Sequence, residues 1–410
     1  MPYPRLVRVV VFGAALVQSR GLVAQGVSTI LERPGALLAP ADQSQVRLRG
    51  FDLRFVPREP LRLRKPNEVK ALYVNAWAFS GRKLWDLVRL ADSTEINSLV
   101  VDVKDDTGCL LYHSAVPTAR EIGADQCARI ASPRARLDTL LAHGIYPIAR
   151  IVVAKDPLLA VGKTAWSVQQ VGGGQWRDRI NIAWVDAYND SVWIYAADLA
   201  REAVRMGFAE VQFDYVRFPD EPKERMETAI FPSRRAGESQ REAVHRHIQL
   251  IVNRIKPLGV PVTFDIFGLT ASTKGGDLGI GQVWEDFAGA ADVVLPMVYP
   301  SHYYRGAFGI DRPNAHPYRI VHLALNDALE RCHAMVGGAA QVRPYLQAFT
   351  LGRRLPRYTP FEIREQIRAT EDLGIHSWVL WNPRSAYQRN ALRPYSSKLE
   401  PAALAVGSGQ

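Results

Sequence analysis

The chain has 410 residues, 47% of them hydrophobic and 22% charged, which supplies one large core or two modest ones and excludes a disordered chain. A formal charge of +10 suits an anionic partner, yet Lys and Arg are scattered rather than gathered with interleaved aromatics, so nucleic-acid binding is not expected. The cysteines, Cys109, Cys127 and Cys332, have no paired ligand spacing, so neither a zinc site nor any other metal is expected.

At the start, Arg5 and Arg8 precede the apolar run Val9 to Val17, and small and polar residues follow around Ala24. Residues 1–26 therefore read as a secretory signal peptide, with a frayed extension as the competing reading. The run is too short to span a membrane, so no integral span is expected. Residues 27–66, rich in Pro and Arg, read as a linker or surface arm. Export to the periplasm or the medium would let Cys109 and Cys127 pair; three unlinked thiols are the alternative.

From residue 67 to about 400, strand-like apolar runs alternate with helical ones. The expected strands are Val69 to Phe79, Ser98 to Lys104, Tyr146 to Val153, Ala209 to Val216, Val260 to Phe267, Val293 to Tyr299, Arg343 to Phe349 and Ser377 to Trp381. The expected helices are Leu84 to Thr94, Arg134 to His143, Ser191 to Met206, Glu238 to Ile255, Tyr318 to Met335 and Pro360 to Leu373. Gly144, Gly207 and Gly374 sit where helices end. This alternation predicts an α/β fold, a (β/α)8 TIM barrel with insertions after strands 2 and 3, residues 107–133 and 154–188. A doubly wound sheet is the alternative, but no G-x-G-x-x-G follows the first strand. The second insertion carries Trp166, Gly172-Gly173-Gly174, Trp176 and Trp184. Its tryptophans either stack on sugars or fill core, and its glycines make a flexible turn, because no Lys-Ser or Lys-Thr follows them.

In a barrel, residues at the C-terminal strand ends meet. Here they are Tyr73, Asn75 and Trp77, Asp102, Lys104 and Asp105, Arg150, Asp214 and Arg217, Asp265, Tyr299, Gln347, and Trp381 and Asn382. Carboxylates, amides and flat aromatics are poor core material and suit a carbohydrate. Asp214 and Asp265 interrupt apolar strands that are neighbours in a sequentially ordered barrel. They are the candidate catalytic pair, because glycosidic cleavage needs one acid and one carboxylate nucleophile or base. The bland alternative pairs Asp214 with Arg150 or Arg217 and leaves Asp265 to cap a loop. Arg217 would position a carboxylate or an acidic sugar group, with a solvated or strand-pairing role as the alternative. No G-x-S-x-G and no His-partnered Cys points to a serine or cysteine hydrolase.

Val101-Asp102-Val103-Lys104-Asp105, Phe213-Asp214-Tyr215-Val216-Arg217-Phe218-Pro219, Asp265-Ile266-Phe267-Gly268, Pro296-Met297-Val298-Tyr299-Pro300 and Trp381-Asn382-Pro383, together with the run Val69 to Val74, resemble a bacterial family of glycosyl hydrolases built on a (β/α)8 barrel. The resemblance runs from Lys70 to Tyr387. It implies a hydrolase of O-glycosyl bonds in a polysaccharide or cell-envelope glycan, needing no cofactor, with catalytic carboxylates at Asp214 and Asp265. Family 18 chitinases also end strand four in an acidic, aromatic, proline-terminated motif. Where they have a catalytic glutamate, this chain has Val216 and Arg217, which argues against their substrate-assisted chemistry. A non-catalytic carbohydrate-binding barrel is the competing class. Polysaccharide deacetylation is a third reading, but it requires a metal-binding Asp/His set that is not found.

Overall fold

The computed structural model describes residues 64–352 and 356–395. The segment read as a signal peptide, and nearly all of that read as a linker, lie outside them.

Eight parallel strands close into a barrel: β1 (Lys70–Val74), β2 (Ser98–Lys104), β3 (Tyr146–Val152), β4 (Glu210–Asp214), β5 (Val262–Phe267), β6 (Val293–Met297), β7 (Tyr345–Gln347) and β8 (Trp378–Trp381). Each pairs with its sequence neighbours, β8 pairs with β1, and the Tyr345–Met297 pairing of β7 with β6 completes the ring. The expected (β/α)8 architecture is therefore the one observed.

Around the barrel lie α1 (Lys83–Asp92), α2 (Arg134–Ala142), α3 (Asp190–Met206), α4 (Gln240–Ile255), α5 (Trp284–Ala288), α6 (Pro317–Ala334) and α7 (Pro360–Glu371). Two packed layers follow from strand alternation. Inward-facing Ala71, Val100, Ile148, Leu295, Tyr345 and Val379 fill the barrel. Outward-facing Leu72, Val101, Ala149, Phe264, Val294 and Leu380 belong to the larger core shared with the helices. Gly144, Gly207 and Gly374 all take positive φ, as expected of residues that end α2, α3 and α7.

Several strands stop earlier than apolar content suggests, and local chemistry explains two of them. The first was expected to reach Phe79, but the Asn75 carboxamide accepts from the Ala78 amide and caps a short helix, Ala76–Ser80. The fourth was expected to reach Val216 but ends at Asp214, because Tyr215 has φ +54°, a left-handed conformation that no strand continues through. The short helices Gly268–Ser272 and α5, both after β5, had no counterpart in the sequence reading.

The two insertions cover the C-terminal end of the barrel. The first is closed by a disulfide between Cys109 and Cys127, whose Cα atoms are 5.8 Å apart. In the second, Gln169–Gln170 pairs antiparallel with Ala229–Ile230 from the loop after β4. No helix among the described residues is long and apolar enough to cross a membrane.

Candidate active site

The site is organised by Arg150. It lies on β3, in register with Asp102 of β2 and Gln212 of β4, so all three side chains point to the barrel axis. Its guanidinium donates to Asp102 Oδ1 at 2.5 Å through Nη1 and to Asp214 Oδ2 through Nη2. Its Nε lies 3.6 Å from Asp265 Oδ2. Asp214 is the last residue of β4, and Asp265 is the fourth of β5, one step beyond the Phe213–Phe264 register pair. The two carboxylates expected to meet are thus carried by adjacent strands and touch one guanidinium.

A further layer of hydrogen bonds fixes each acid differently. Gln212 Nε2 donates to both oxygens of Asp265, at 2.8 and 3.0 Å, and lies 2.7 Å from the Tyr345 hydroxyl. Tyr73 donates its hydroxyl to Asp102 Oδ2. Asp214 accepts the backbone amide of Tyr215 at 2.6 Å.

Charge counting then distinguishes the acids. Three buried carboxylates face one guanidinium, and burial penalises every uncompensated negative charge. Burial and the nearby Asp214 charge push the Asp265 carboxyl well above the ordinary range. Burial raises Asp102 to about 6, against the pull of Arg150. Arg150 stays cationic: burial opposes its charge, but Asp102 and Asp214 hold it well above its usual value. The cluster therefore sets Asp265, a carboxyl biased toward its protonated form, beside Asp214, which accepts from Arg150 and from the Tyr215 amide.

Tyr299 and Trp381 stack with ring centres 5.6 Å apart, Tyr73 lies 5.9 Å from Trp381, and Phe349 meets the Trp381 ring edge-on at 5.1 Å. Together they make an aromatic cluster beside the carboxylates. Trp77 is exposed at the rim, with the Arg129 guanidinium stacked on its ring.

Other expected binding residues are committed to the scaffold. Asn75 caps its helix and donates Nδ2 to the Pro383 carbonyl at 2.8 Å. Asn382 donates to the Ala348 carbonyl and accepts from the Arg384 amide. Gln347 accepts from the Ser301 amide at 3.1 Å and donates to the Phe349 carbonyl at 3.0 Å. Lys104 is buried in an ion pair with Asp156. Trp176 and Trp184 are buried, which makes them core rather than sugar platforms. Gln212 and Tyr345 escaped the sequence reading. The signal was there for Gln212, which stands two residues before Asp214 and so shares its face of the strand. Among the described residues no group of three or more His, Cys, Asp or Glu is arranged to hold a metal.

Residues 71–387 match the model of a family described as a putative glycosyl hydrolase domain. The glycoside hydrolase domain of PgaB (BpsB) from Bordetella bronchiseptica is 13% identical, with a TM-score of 0.54 over 81% of this chain and 100% of that one, a likeness of fold. A hypothetical protein from Ruminiclostridium thermocellum is 37% identical over 47% of this chain and 96% of its own, with a TM-score of 0.42. The glycoside hydrolase domain of PelA from Pseudomonas aeruginosa is 14% identical over 78% of this chain and 97% of that one, with a TM-score of 0.42. No curated protein matches the chain. A match across so much of the barrel, from β1 to beyond β8, places the chain in the glycosyl hydrolase family described by that model.

Proposed function

We propose that the protein is an exported enzyme that cleaves a glycosidic bond in a polysaccharide or cell-envelope glycan, using Asp265 as the acid and Asp214 as the carboxylate that attacks the anomeric carbon. The observation that carries this reading is the sharing of Arg150 by Asp214 and Asp265, carboxylates on adjacent strands. Asp265, held protonated by burial and by the charge of Asp214, has the proton a leaving oxygen needs. Asp214, bound by Arg150 and the Tyr215 amide, is the group placed to meet the positive charge that develops at the anomeric carbon. Trp381, only partly buried, would receive the apolar face of the sugar ring, with the buried Tyr73 and Tyr299 packed against it.

Neighbouring strands lie about 4.8 Å apart, and these acids stand at matching levels of β4 and β5. That spacing favours the ~5 to 5.5 Å carboxyl separation of retaining enzymes over the wider gap needed to admit a water. The basic N-terminal layout of residues 1–26 and the Cys109–Cys127 disulfide support an oxidising compartment outside the cytoplasm.

The test is release of reducing ends from a panel of bacterial polysaccharides and peptidoglycan by the full chain and by Asp214→Asn. Loss of release in the variant, with retained glycan binding and a first-formed product of unchanged anomeric configuration from the wild type, is the expected result. Persistent release by Asp214→Asn sinks the assignment. Binding without turnover by the wild type would make the barrel a carbohydrate-binding module.

A further inference from the structure

Arg217 is a second buried guanidinium at the barrel mouth, and unlike Arg150 it has no carboxylate partner among the described residues. Its side chain is buried in a box of three rings, with the guanidinium 4.6 Å from the centre of Phe267, 4.8 Å from Tyr215 and 5.3 Å from Trp184. One of its N–H groups reaches the Phe218 carbonyl at 3.0 Å. Among the described residues no Asp or Glu oxygen lies within ion-pair distance of it. The rings offset part of the cost of burying the charge through cation–π contact, but they supply no acceptor for the planar fork of N–H donors. A guanidinium in this state lacks a bidentate acceptor, and a carboxylate matches its geometry.

The box is also next to the chemistry. Tyr215 directly follows Asp214, and Phe267 stands two residues beyond Asp265, so two walls of the box continue from the strand ends that carry the acids. Lys155 lies 5.3 Å from the Tyr215 ring centre, but its ammonium is already paired with Asp106 at 2.7 Å. Of these two cations, Arg217 is therefore the one without an ion-pair partner among the described residues. The formal charge of +10 on the chain acts in the same direction, drawing an anionic polymer toward the barrel.

We propose that Arg217 is a specificity residue that receives the carboxylate of an acidic sugar, so that the substrate is a carboxylate-bearing glycan. This deepens the hydrolase reading and rests on it for the position of the scissile bond, though not for binding. A neutral glycan would leave the guanidinium buried without its acceptor, and discrimination against it follows from that unmade pair.

The experiment measures binding of the full chain carrying Asp214→Asn to alginate, hyaluronan and polygalacturonate oligosaccharides and to their carboxyl-reduced forms, at fixed ionic strength. At least one acidic oligosaccharide is expected to bind about tenfold to a hundredfold more tightly than its reduced counterpart. Adding Arg217→Gln should abolish that ratio while changing the affinity for the reduced form less than about twofold. Arg217→Lys should restore part of it, because the charge remains and the fork is lost. Unfolding temperatures identify any variant that fails through its fold, and in that case the reduced-to-acidic ratio of the parent and of Arg217→Lys decides. The proposal is overturned if no acidic form is preferred, or if Arg217→Gln weakens both forms alike. Because binding is the readout, loss of the hydrolase reading through absence of turnover leaves this result standing and separately visible.

Discussion

The two ends of β4 carry opposite solutions to the same problem. At its first residue, Glu210 is fully buried against Arg343, which donates at 2.6 and 3.4 Å to the two carboxylate oxygens. One anion meets one cation, and the pair is neutral. Four residues later, Asp214 shares Arg150 with Asp102 and Asp265, and the cluster has more carboxylates than it can ionise. A balanced buried pair holds scaffold, whereas an unbalanced one must keep a proton and so has one to give. Barrel enzymes separate stability from chemistry between these two ends, and here a single strand spans the separation.

The sharpest way to break this contrast is at the proton itself. Because the Asp265 carboxyl is held well above its usual range, its protonated form persists to higher pH than that of an ordinary carboxyl, and activity falls as pH rises through that raised value. Asp265→Asn should lower kcat/KM by about a hundredfold to ten-thousandfold and remove the alkaline limb from the pH profile. An aryl glycoside whose leaving group needs no proton should lose much less. A pH profile unchanged in the variant would remove Asp265 from the acid role.

At the other end, Arg343→Met leaves Glu210 as an unpaired buried anion. The expected cost is about 3–5 kcal/mol in urea unfolding, recovered for the most part by adding Glu210→Met, with kcat of the folded enzyme unchanged. An Arg343→Met protein of wild-type stability would mean that the base of the barrel is not held by this pair.

A smaller effect separates the two ends by pH. Asp102 titrates near 6 when folded, above the ordinary carboxylate value of 3.8, so the folded protein keeps a proton that the unfolded chain releases. Stability present at pH 4 is therefore lost as pH rises toward 6, by about 3 kcal/mol from this group. Asp102→Asn should reduce the slope of unfolding free energy against pH in that window by about 1.4 kcal/mol per pH unit, leaving the contribution of Asp265. An unaltered slope would show that Asp102 is ionised throughout.

Much of this contrast is legible in the sequence, and the part that is not has a definable cause. Parallel strands are buried on both faces, so each reads as an apolar run, and polar residues at inward positions such as Asp102, Arg150, Asp214 and Asp265 stand out against it. Identity alone does not tell a ligand-binding amide from a structural one. Asn75 and Asn382 match a sugar site in residue type, yet the carbonyl that claims Asn75 lies 308 positions away at Pro383, and the one that claims Asn382 lies 34 away at Ala348. Lys104 is taken by Asp156, 52 positions on. Strand ends are hidden in the sequence for a related reason: Tyr215 continues the apolar pattern of β4 while its backbone leaves the strand.

That backbone provides the finest probe of the comparison. Tyr215 holds φ +54°, a left-handed conformation that costs a non-glycine residue roughly 1–2 kcal/mol, and it does so immediately after Asp214, whose Oδ1 accepts the Tyr215 amide. The turn thus aims a donor at the carboxylate, and conformational energy is stored beside the candidate site. Comparing Tyr215→Ala with Tyr215→Gly isolates this cost, since both remove the ring and only glycine relieves the backbone. At an unstrained site alanine is the more stable of the two by about 0.4–1 kcal/mol, because glycine gains entropy on unfolding. Here the order should reverse, with Tyr215→Gly more stable by about 1 kcal/mol in urea unfolding. If alanine remains ahead, the turn after Asp214 is unstrained, and the mouth of the barrel differs from its base in charge alone.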